Sequence, residues 1–578
     1  MTFTQREPGD PFAAPGTATL QTVLDRLEQI PNMTTGRKND LRSAIRTFCK
    51  VAGRDPRDIV AGPIRIRHML AQCYPARFGI SHARWNNVRS LLSKTMDLTG
   101  ISVAPGRMLA PMTPDWRELY DRLPTKEAKC ILSRVLRHLS VRGVDPKNVT
   151  VSDIQRFEQD NARSVLKDPV RANQKMRRGW NRARVTVEGW PDLELEIAAL
   201  RDTYTVPLEA LAASYRDDAE AFLEWSGRRD SFDEDDGPIR PVRPATVRNK
   251  RQAIVFMTSA AIRNGTPSDQ FRSLGDLVEP ETVKTALRFL AKRYGDHQSA
   301  VLENMMAQIV IIARDWVKVR DDQLEPLRRL GHRVAPKRRG TLTEKNRAVI
   351  REFDDRSMIL RLVRLPDLLF DLACREPEHS KVRGFKQATA VMVAILLAAP
   401  IRVRNLVGIY LGRNLLRIAH NKSNRYELYF PADEVKNDVE LAMPLPDWVG
   451  QMIDAYTRDG RQLLLDEPSD WLFPGLTKGH VCTATVTARL AAVSQRHLGV
   501  KITPHQFRHI AGALYLFDNP GQHEVVRRLL GHKNLNTTVT FYAAMQQPAA
   551  TRDYAATIEA RRQEALQTTP RSHKRRTA

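Results

Sequence analysis

The sequence predicts a mainly α-helical chain, in which tandem helical units precede a mixed α+β domain with a small antiparallel sheet. Three observations lead there. Apolar residues recur three or four apart over most of the length, and Gly and Pro fall between the apolar runs rather than inside them. Short β-rich stretches appear among the helices only beyond about Thr341, at 415–418, 427–430 and 439–443. Lys plus Arg number 91 against 66 Asp plus Glu, a formal net charge of +25, and such an excess calls for a polyanionic partner.

At 578 residues the chain is long enough for several domains. With 42% hydrophobic and 27% charged residues it has the composition of folded protein rather than of a disordered chain. Nucleic acid is favoured over a membrane surface, because neither a concentrated basic amphipathic helix nor a lipidation signal is evident. Residues 1–19 carry acidic residues and prolines and lack the apolar stretch of a secretory signal. The longest apolar stretch, 388–401, is interrupted by Pro400, followed by Arg402, and is too short to span a bilayer. It reads as a buried core helix. The five cysteines (Cys49, Cys73, Cys130, Cys374, Cys482) are scattered, odd in number and without zinc-site spacing. They read as reduced, mostly buried thiols of a cytoplasmic, nucleoid-associated protein.

A first helical unit, 1–110, has periodic runs at 21–27, 39–51 and 85–96, separated by turns such as Gly53-Arg54-Asp55-Pro56. A second, 111–206, follows the same plan, since 131–139 leads through Gly143-Val144-Asp145-Pro146 into another helical run. The segment from Arg84 (RWNNVR) parallels that from Gly179 (GWNRAR). Duplication and shared turn chemistry both account for the likeness. After an acidic, Pro-rich segment at 231–244, the unit 207–338 continues with helices at 245–262, 280–294 and 299–319. Its basic helix start, with Arg243, Arg248, Lys250 and Arg251, is placed to follow a phosphate backbone. The mixed domain spans 339–560, and 561–578 is a basic tail containing RSHKRR at 571–576, read either as solvated or as a non-specific phosphate contact.

Chemistry concentrates in the mixed domain. His505-Gln506-Phe507-Arg508-His509 is followed by Leu529-Leu530-Gly531-His532 and then by Thr537-Thr538-Val539-Thr540-Phe541-Tyr542, with Arg402 upstream in Pro400-Ile401-Arg402-Val403-Arg404-Asn405-Leu406. His505 and Arg508, three apart, share one face of a helix and can converge on one phosphate. A guanidinium at Arg402 can bind two phosphate oxygens at once, which a lysine cannot reproduce. Gly531 suits a helix C-terminus with a sharp exit before His532. A tyrosine hydroxyl titrates near 10, so Tyr542 needs a base or cationic surroundings to attack phosphorus at neutral pH. The chain shows no GxxxxGK[ST] loop, no HExxH helix and no clear carboxylate cluster for paired magnesium ions.

This order of residues, Arg402, Lys436, His505, Arg508, His532 and Tyr542, resembles the signature of the tyrosine recombinase (phage integrase) family over about 340–550, preceded here by an unusually long N-terminal region. The resemblance implies a DNA strand-exchange enzyme, an integrase or transposase, that forms a 3′-phosphotyrosyl intermediate and a free 5′-hydroxyl without metal, ATP or other cofactor. Arg402 and Arg508 match the family's phosphate clamp, His505 the residue that exchanges the proton of the attacking oxygen, and His532 a donor to the scissile phosphate. Lys436, eight residues before Pro444, matches the hairpin lysine that protonates the leaving oxygen, with Lys422 as the alternative. The sequence departs from the family pattern twice: Asn405 stands where an acidic residue is usual, and Tyr542 lies ten residues beyond His532 rather than nine. Tyr554 is the rival nucleophile. The unit 207–338 corresponds to the family's core-binding domain. Implied partners are double-stranded DNA with specific recombination sites, further copies of the chain in a homo-tetramer on the synapse, and accessory proteins, with no membrane. A type IB topoisomerase, a hairpin-end resolvase, or a non-catalytic DNA-binding relative would carry much of the same pattern.

Overall fold

Threonine and serine side chains start many of the helices. Thr19, Thr34 and Ser81 each accept a backbone N–H of the helix that follows, satisfying donors that have no partner inside the first turn. The computed structural model describes residues 17–101, 110–197, 203–228, 242–336, 342–420, 423–435, 439–476 and 479–568. The chain divides into two compact units, one made of residues 1–197 with 342–578 and the other of 198–341.

In the first unit, α1 (Leu20–Glu28), α2 (Thr35–Ala52), α3 (Pro63–Gln72) and α4 (His82–Leu98) pack around Phe48, Trp85 and Leu92. Then α5 (Pro114–Asp121), α6 (Lys126–Val141), α7 (Val151–Ser164) and α8 (Pro169–Thr186) enclose Trp116, Trp180 and Trp190. Both bundles run in the same order. After α2 and after α6 comes a left-handed glycine, Gly53 or Gly143, each at φ +66°. A short turn that starts on Asp-Pro follows in each (Pro56–Asp58, Pro146–Asn148), and the last helix buries a tryptophan, Trp85 or Trp180. Only glycine takes that backbone conformation without strain. The indole N–H groups of Trp116 and Trp180 reach the carbonyls of Val144 and Leu193 at 2.7 and 2.9 Å, which pairs the polar atom of each of these two rings, whereas the buried indole nitrogen of Trp190 has no hydrogen-bond partner among the described residues.

The second unit holds α9 (Ala213–Gly227), α10 (Pro244–Arg263), α11 (Leu274–Val278), α12 (Pro280–Tyr294), α13 (Ala300–Ile311) and α14 (Asp321–Val334) around one apolar core. Asp218 accepts from the Leu274 amide at 2.7 Å and the Trp316 indole at 2.8 Å. The basic start of α10 differs from the sequence expectation. Arg243 and Arg248 are exposed, but Lys250 is 4% exposed and its ammonium lies over the Phe222 ring at 4.7 Å. Arg251 is held by both carboxylate oxygens of Glu220. Burial takes Lys250 off any DNA-facing surface, and the ion pair engages Arg251.

Returning to the first unit, α15 (Glu344–Arg351), α16 (Arg356–Val363) and α17 (Leu365–Cys374) lead into α18 (Lys381–Ala398), which is buried from Gln387 to Leu396. This is the apolar stretch read as a core helix. Gly384 lets α18 approach the chain closely, because a Cβ there would stand 2.5 Å from the Gly460 carbonyl oxygen. After α19 (Val403–Val407), β1 (Leu415–His420), β2 (Ser423–Phe430) and β3 (Leu441–Pro444) form one antiparallel sheet in the order β1-β2-β3, with Leu415 opposite Leu428 and Phe430 opposite Leu441. The predicted strands are all present. α20 (Asp447–Ala455), α21 (Thr483–Leu498), α22 (Pro504–Asp518), α23 (His523–Leu530) and α24 (Leu535–Thr568) complete the chain. The N-terminal bundle seats on α21: Arg361 donates to the carbonyls of Ala76 at 2.6 Å and His497 at 2.9 Å, and Arg77 pairs with Glu352 at 2.7 Å.

Of the cysteines, Cys49 is buried and Cys73 half-buried, whereas Cys130, Cys374 and Cys482 are exposed. The expectation of mostly buried thiols fails, because apolar character fixes an average tendency and not the face of a given helix on which a residue falls. No helix among the described residues is long and apolar enough to cross a membrane. The acidic segment 231–241 and the tail 571–576 lie outside the described residues.

Candidate active site

The site is assembled where four chain segments end or begin. α18 stops at Ala398, and Ala399-Pro400-Ile401 carries the chain to Arg402, the residue that caps α19 with extended backbone. α22 begins at Pro504 behind a reciprocal Thr503 and Gln506 cap, in which Gln506 Oε1 accepts the Thr503 amide at 2.9 Å. Gln506 also donates to Asn346 of α15 at 3.3 Å. α23 closes on Gly531 at φ +57°, which turns the chain sharply and delivers His532. α24 then presents Tyr542 from its second full turn.

Arg508 is 5% exposed, and its guanidinium donates to the Pro400 carbonyl and, at 2.5 Å, to the Leu530 carbonyl. It therefore pins the end of α18 to the end of α23, the two places that supply Arg402 and His532. Burial, and then the charge of Arg402, pull its pKa down to about 10. Arg402 is itself lowered by burial. Its Nη1 is buried and has no hydrogen-bond partner among the described residues. Two like charges this close, one with an unpaired buried donor, are costly without an anion between them. Such an arrangement can hold one.

His505 stands in the first turn of α22 with an exposed ring, and one turn further His509 is 6% exposed. Their rings meet edge to face with centroids 4.5 Å apart, and the two Nε2 atoms are 3.1 Å apart. His509 Nδ1 lies 3.3 Å from the Tyr542 hydroxyl. Burial, followed by the charges of His505, Arg508 and His532, drops the His509 pKa to about 3. Its imidazole is neutral at physiological pH. His532 is lowered to about 4 by burial and by Arg508 and Arg402, and its Nδ1 lies 2.9 Å from the Thr538 hydroxyl.

Tyr542 has no accessible surface. Burial raises its pKa, and the charge of Arg508 opposes the rise. Gly512 makes its place, because a Cβ there would stand 2.8 Å from both Cζ and the hydroxyl oxygen. The ten-residue spacing from His532 is absorbed by α24, where Phe541 turns toward the His532 ring at 6.3 Å and Tyr542 toward α22. Tyr554, on the same helix, is 67% exposed and is not brought to the histidines. The structure thus gathers Arg402, His505, Arg508, His532 and Tyr542. Lys436 and Lys422 both lie outside the described residues. Asn405, which departs from the family's acidic residue, is buried and donates to the Glu434 carbonyl at 3.4 Å. His509, Thr538 and Gly512 escaped the sequence reading. His509 had a signal, since it lies four residues after His505 on the same helical face.

Residues 378–548 match the Phage integrase family. This segment of the chain is thus similar to the phage integrase family of tyrosine recombinases. Tyrosine recombinase XerD of Pseudomonas aeruginosa is 32% identical over 164 residues, 28% of this chain and 51% of that protein. Tyrosine recombinase XerD of Pseudomonas putida is 30% identical over 155 residues, 26% of this chain and 48% of that protein. The chain spans about half the length of these curated relatives. Among solved structures, XerH site-specific recombinase bound to its difH substrate in a pre-cleavage complex shares 13% identity over 60% of this chain and 98% of that one, at a TM-score of 0.27. The family domain takes in Arg402 through Tyr542 and leaves the region before residue 378 unmatched.

Proposed function

We propose that this protein is a tyrosine recombinase, a site-specific DNA recombinase of the integrase or transposase kind, that cuts and rejoins strands through a 3′-phosphotyrosyl intermediate on Tyr542. The observation that carries the reading is the buried, unpaired Nη1 of Arg402 beside the desolvated Arg508 and the neutral imidazoles of His509 and His532. A phosphodiester bound there meets two guanidiniums that stabilise the extra negative charge of a pentacoordinate transition state. When the Thr538 hydroxyl donates to His532 Nδ1, the proton of that ring sits on Nε2, a neutral donor for a phosphate oxygen.

In the first step the Tyr542 oxygen bonds to phosphorus and loses its proton. The bond to the 5′-oxygen breaks, and that oxygen takes a proton from Lys436 or Lys422. The phosphotyrosyl ester conserves the energy of the broken phosphodiester, so a 5′-hydroxyl from a second duplex can reverse the step without ATP. Because Tyr542 has no accessible surface, DNA binding must also open a path for phosphorus to the hydroxyl on the side away from His509. The unit 207–338 serves as the core-binding domain, with the exposed Arg243 and Arg248 toward the backbone. Exchange between two duplexes implies a homo-tetramer. The N-terminal bundles, alike in element order, supply further contacts to DNA, protomers or accessory proteins.

A DNA sequence selected by the full chain from a randomised pool can be placed twice on one plasmid. Deletion circles are expected from the two-copy plasmid. Relaxation of supercoiled DNA alone, with no circle, would assign the chemistry to a topoisomerase instead.

A further inference from the structure

Tyr542 is buried against Gly512 and Val526, so bulk water does not reach its hydroxyl, and the proton it must lose needs a protein route. Among the described residues that hydroxyl is hydrogen-bonded to Nδ1 of His509 at 3.3 Å, and the other nitrogen of the same ring lies 3.1 Å from Nε2 of His505, whose ring is exposed. We propose that His509 is a further catalytic residue, a relay that takes the Tyr542 proton on Nδ1 and passes its own Nε2 proton to His505. The inference rests on the reading of Tyr542 as the nucleophile.

The step balances without any co-reactant. The O–H bond of Tyr542 breaks as its oxygen bonds to phosphorus. His509 gains a proton on Nδ1 and loses one from Nε2, so it changes tautomer and ends neutral. His505 ends as an imidazolium. The charge separated in the step thus appears on the exposed ring at the first turn of α22 and not on the buried one, where an isolated cation is far more costly. The low pKa of His509, about 3, fits a group that is always free to accept and does not retain the proton. A sulfur- or oxygen-bearing side chain in its place could not act at two atoms on opposite edges of one ring, and this is the property a relay uses.

The test uses the full chain and a pool of nicked duplexes of randomised sequence, with the covalent protein–DNA adduct read on a denaturing gel and folding checked by thermal unfolding. His509→Ala is expected to slow adduct formation by roughly 10²- to 10⁴-fold, the usual worth of a positioned acid or base, and free imidazole is expected to restore part of it. His509→Asn keeps an acceptor for the hydroxyl but cannot pass a proton, so it is expected to fold like the wild type and remain as slow. A folded His509→Asn protein within twofold of wild type would overturn the relay. So would a folded His509→Ala protein whose loss imidazole does not repair. If His509→Ala does not fold, His509→Asn decides. Failure of the wild type to form any adduct would instead overturn the reading of Tyr542, and the relay with it.

Discussion

Gly512 and Tyr542 are in close contact: a methyl group on the glycine would stand 2.8 Å from the tyrosine hydroxyl. The absence of a side chain on α22 is what lets α24 set its ring beside His509. Gly512→Ala should therefore cost about 1–3 kcal/mol of stability through overpacking. It should also displace the hydroxyl enough to slow adduct formation by about 100-fold. Adduct kinetics and a thermal melt on the same preparation check both.

The two arginines should respond differently to substitution. Arg508 donates to two carbonyls that hold α18 and α23 together, so Arg508→Met should lower the melting temperature as well as abolish activity. Arg402 carries an unpaired buried donor and repels Arg508. Arg402→Met should leave the melting temperature unchanged or raise it, while activity falls by at least about 10²- to 10³-fold. A matching loss of stability in the two variants would contradict this division.

Thr538 is fully buried, and its hydroxyl sits 2.9 Å from His532 Nδ1. Thr538→Val keeps the volume and removes the group that sets the tautomer. A hydrogen bond is worth about 1 kcal/mol, which corresponds to roughly five-fold in rate. Single-turnover cleavage should slow by about that factor, with DNA affinity unchanged in a gel-shift titration.

Acid should loosen the domain before its carboxylates titrate. His509, His532 and His497 are held at about 3, 4 and 4, well below the ordinary 6.5 or so of a histidine in an unfolded chain. A lowered histidine pKa means that the unfolded chain binds more protons, so the stability these groups contribute is complete above about 6.5 and drains away as pH falls toward 4. The contribution of Glu524, lowered to about 2 by Arg527 and Arg528, is complete above the ordinary glutamate value and drains only as pH falls from there toward 2. Melting temperatures between pH 7 and pH 5 should fall, and His497→Gln should flatten the slope.

The sequence showed the parts of this site that local spacing controls. The HxxR pair, the glycine before His532 and the apolar helix before Arg402 each follow from a helix period or a cap. What it hid depends on packing across distance. His509 meets Tyr542 thirty-three positions away because Gly512 leaves room, and no local pattern encodes that meeting. Lys250 shows the opposite case. Its charge suggested solvent, yet it falls in phase with Ile254, Met257 and Ala261, all buried on α10. The helical period would have placed it on the inner face, over Phe222. The exposed cysteines were missed for a similar reason, since residue type was read without the face of the helix.

Tyr542 is expected to become covalently joined to DNA. Full-length protein trapped on nicked duplexes, digested with protease and nuclease and sequenced by mass spectrometry, should carry a 3′-phosphonucleotide on Tyr542, and Tyr542→Phe should carry none. A nucleotide found on Tyr554, or an adduct that survives in Tyr542→Phe, would rule out Tyr542 as the nucleophile.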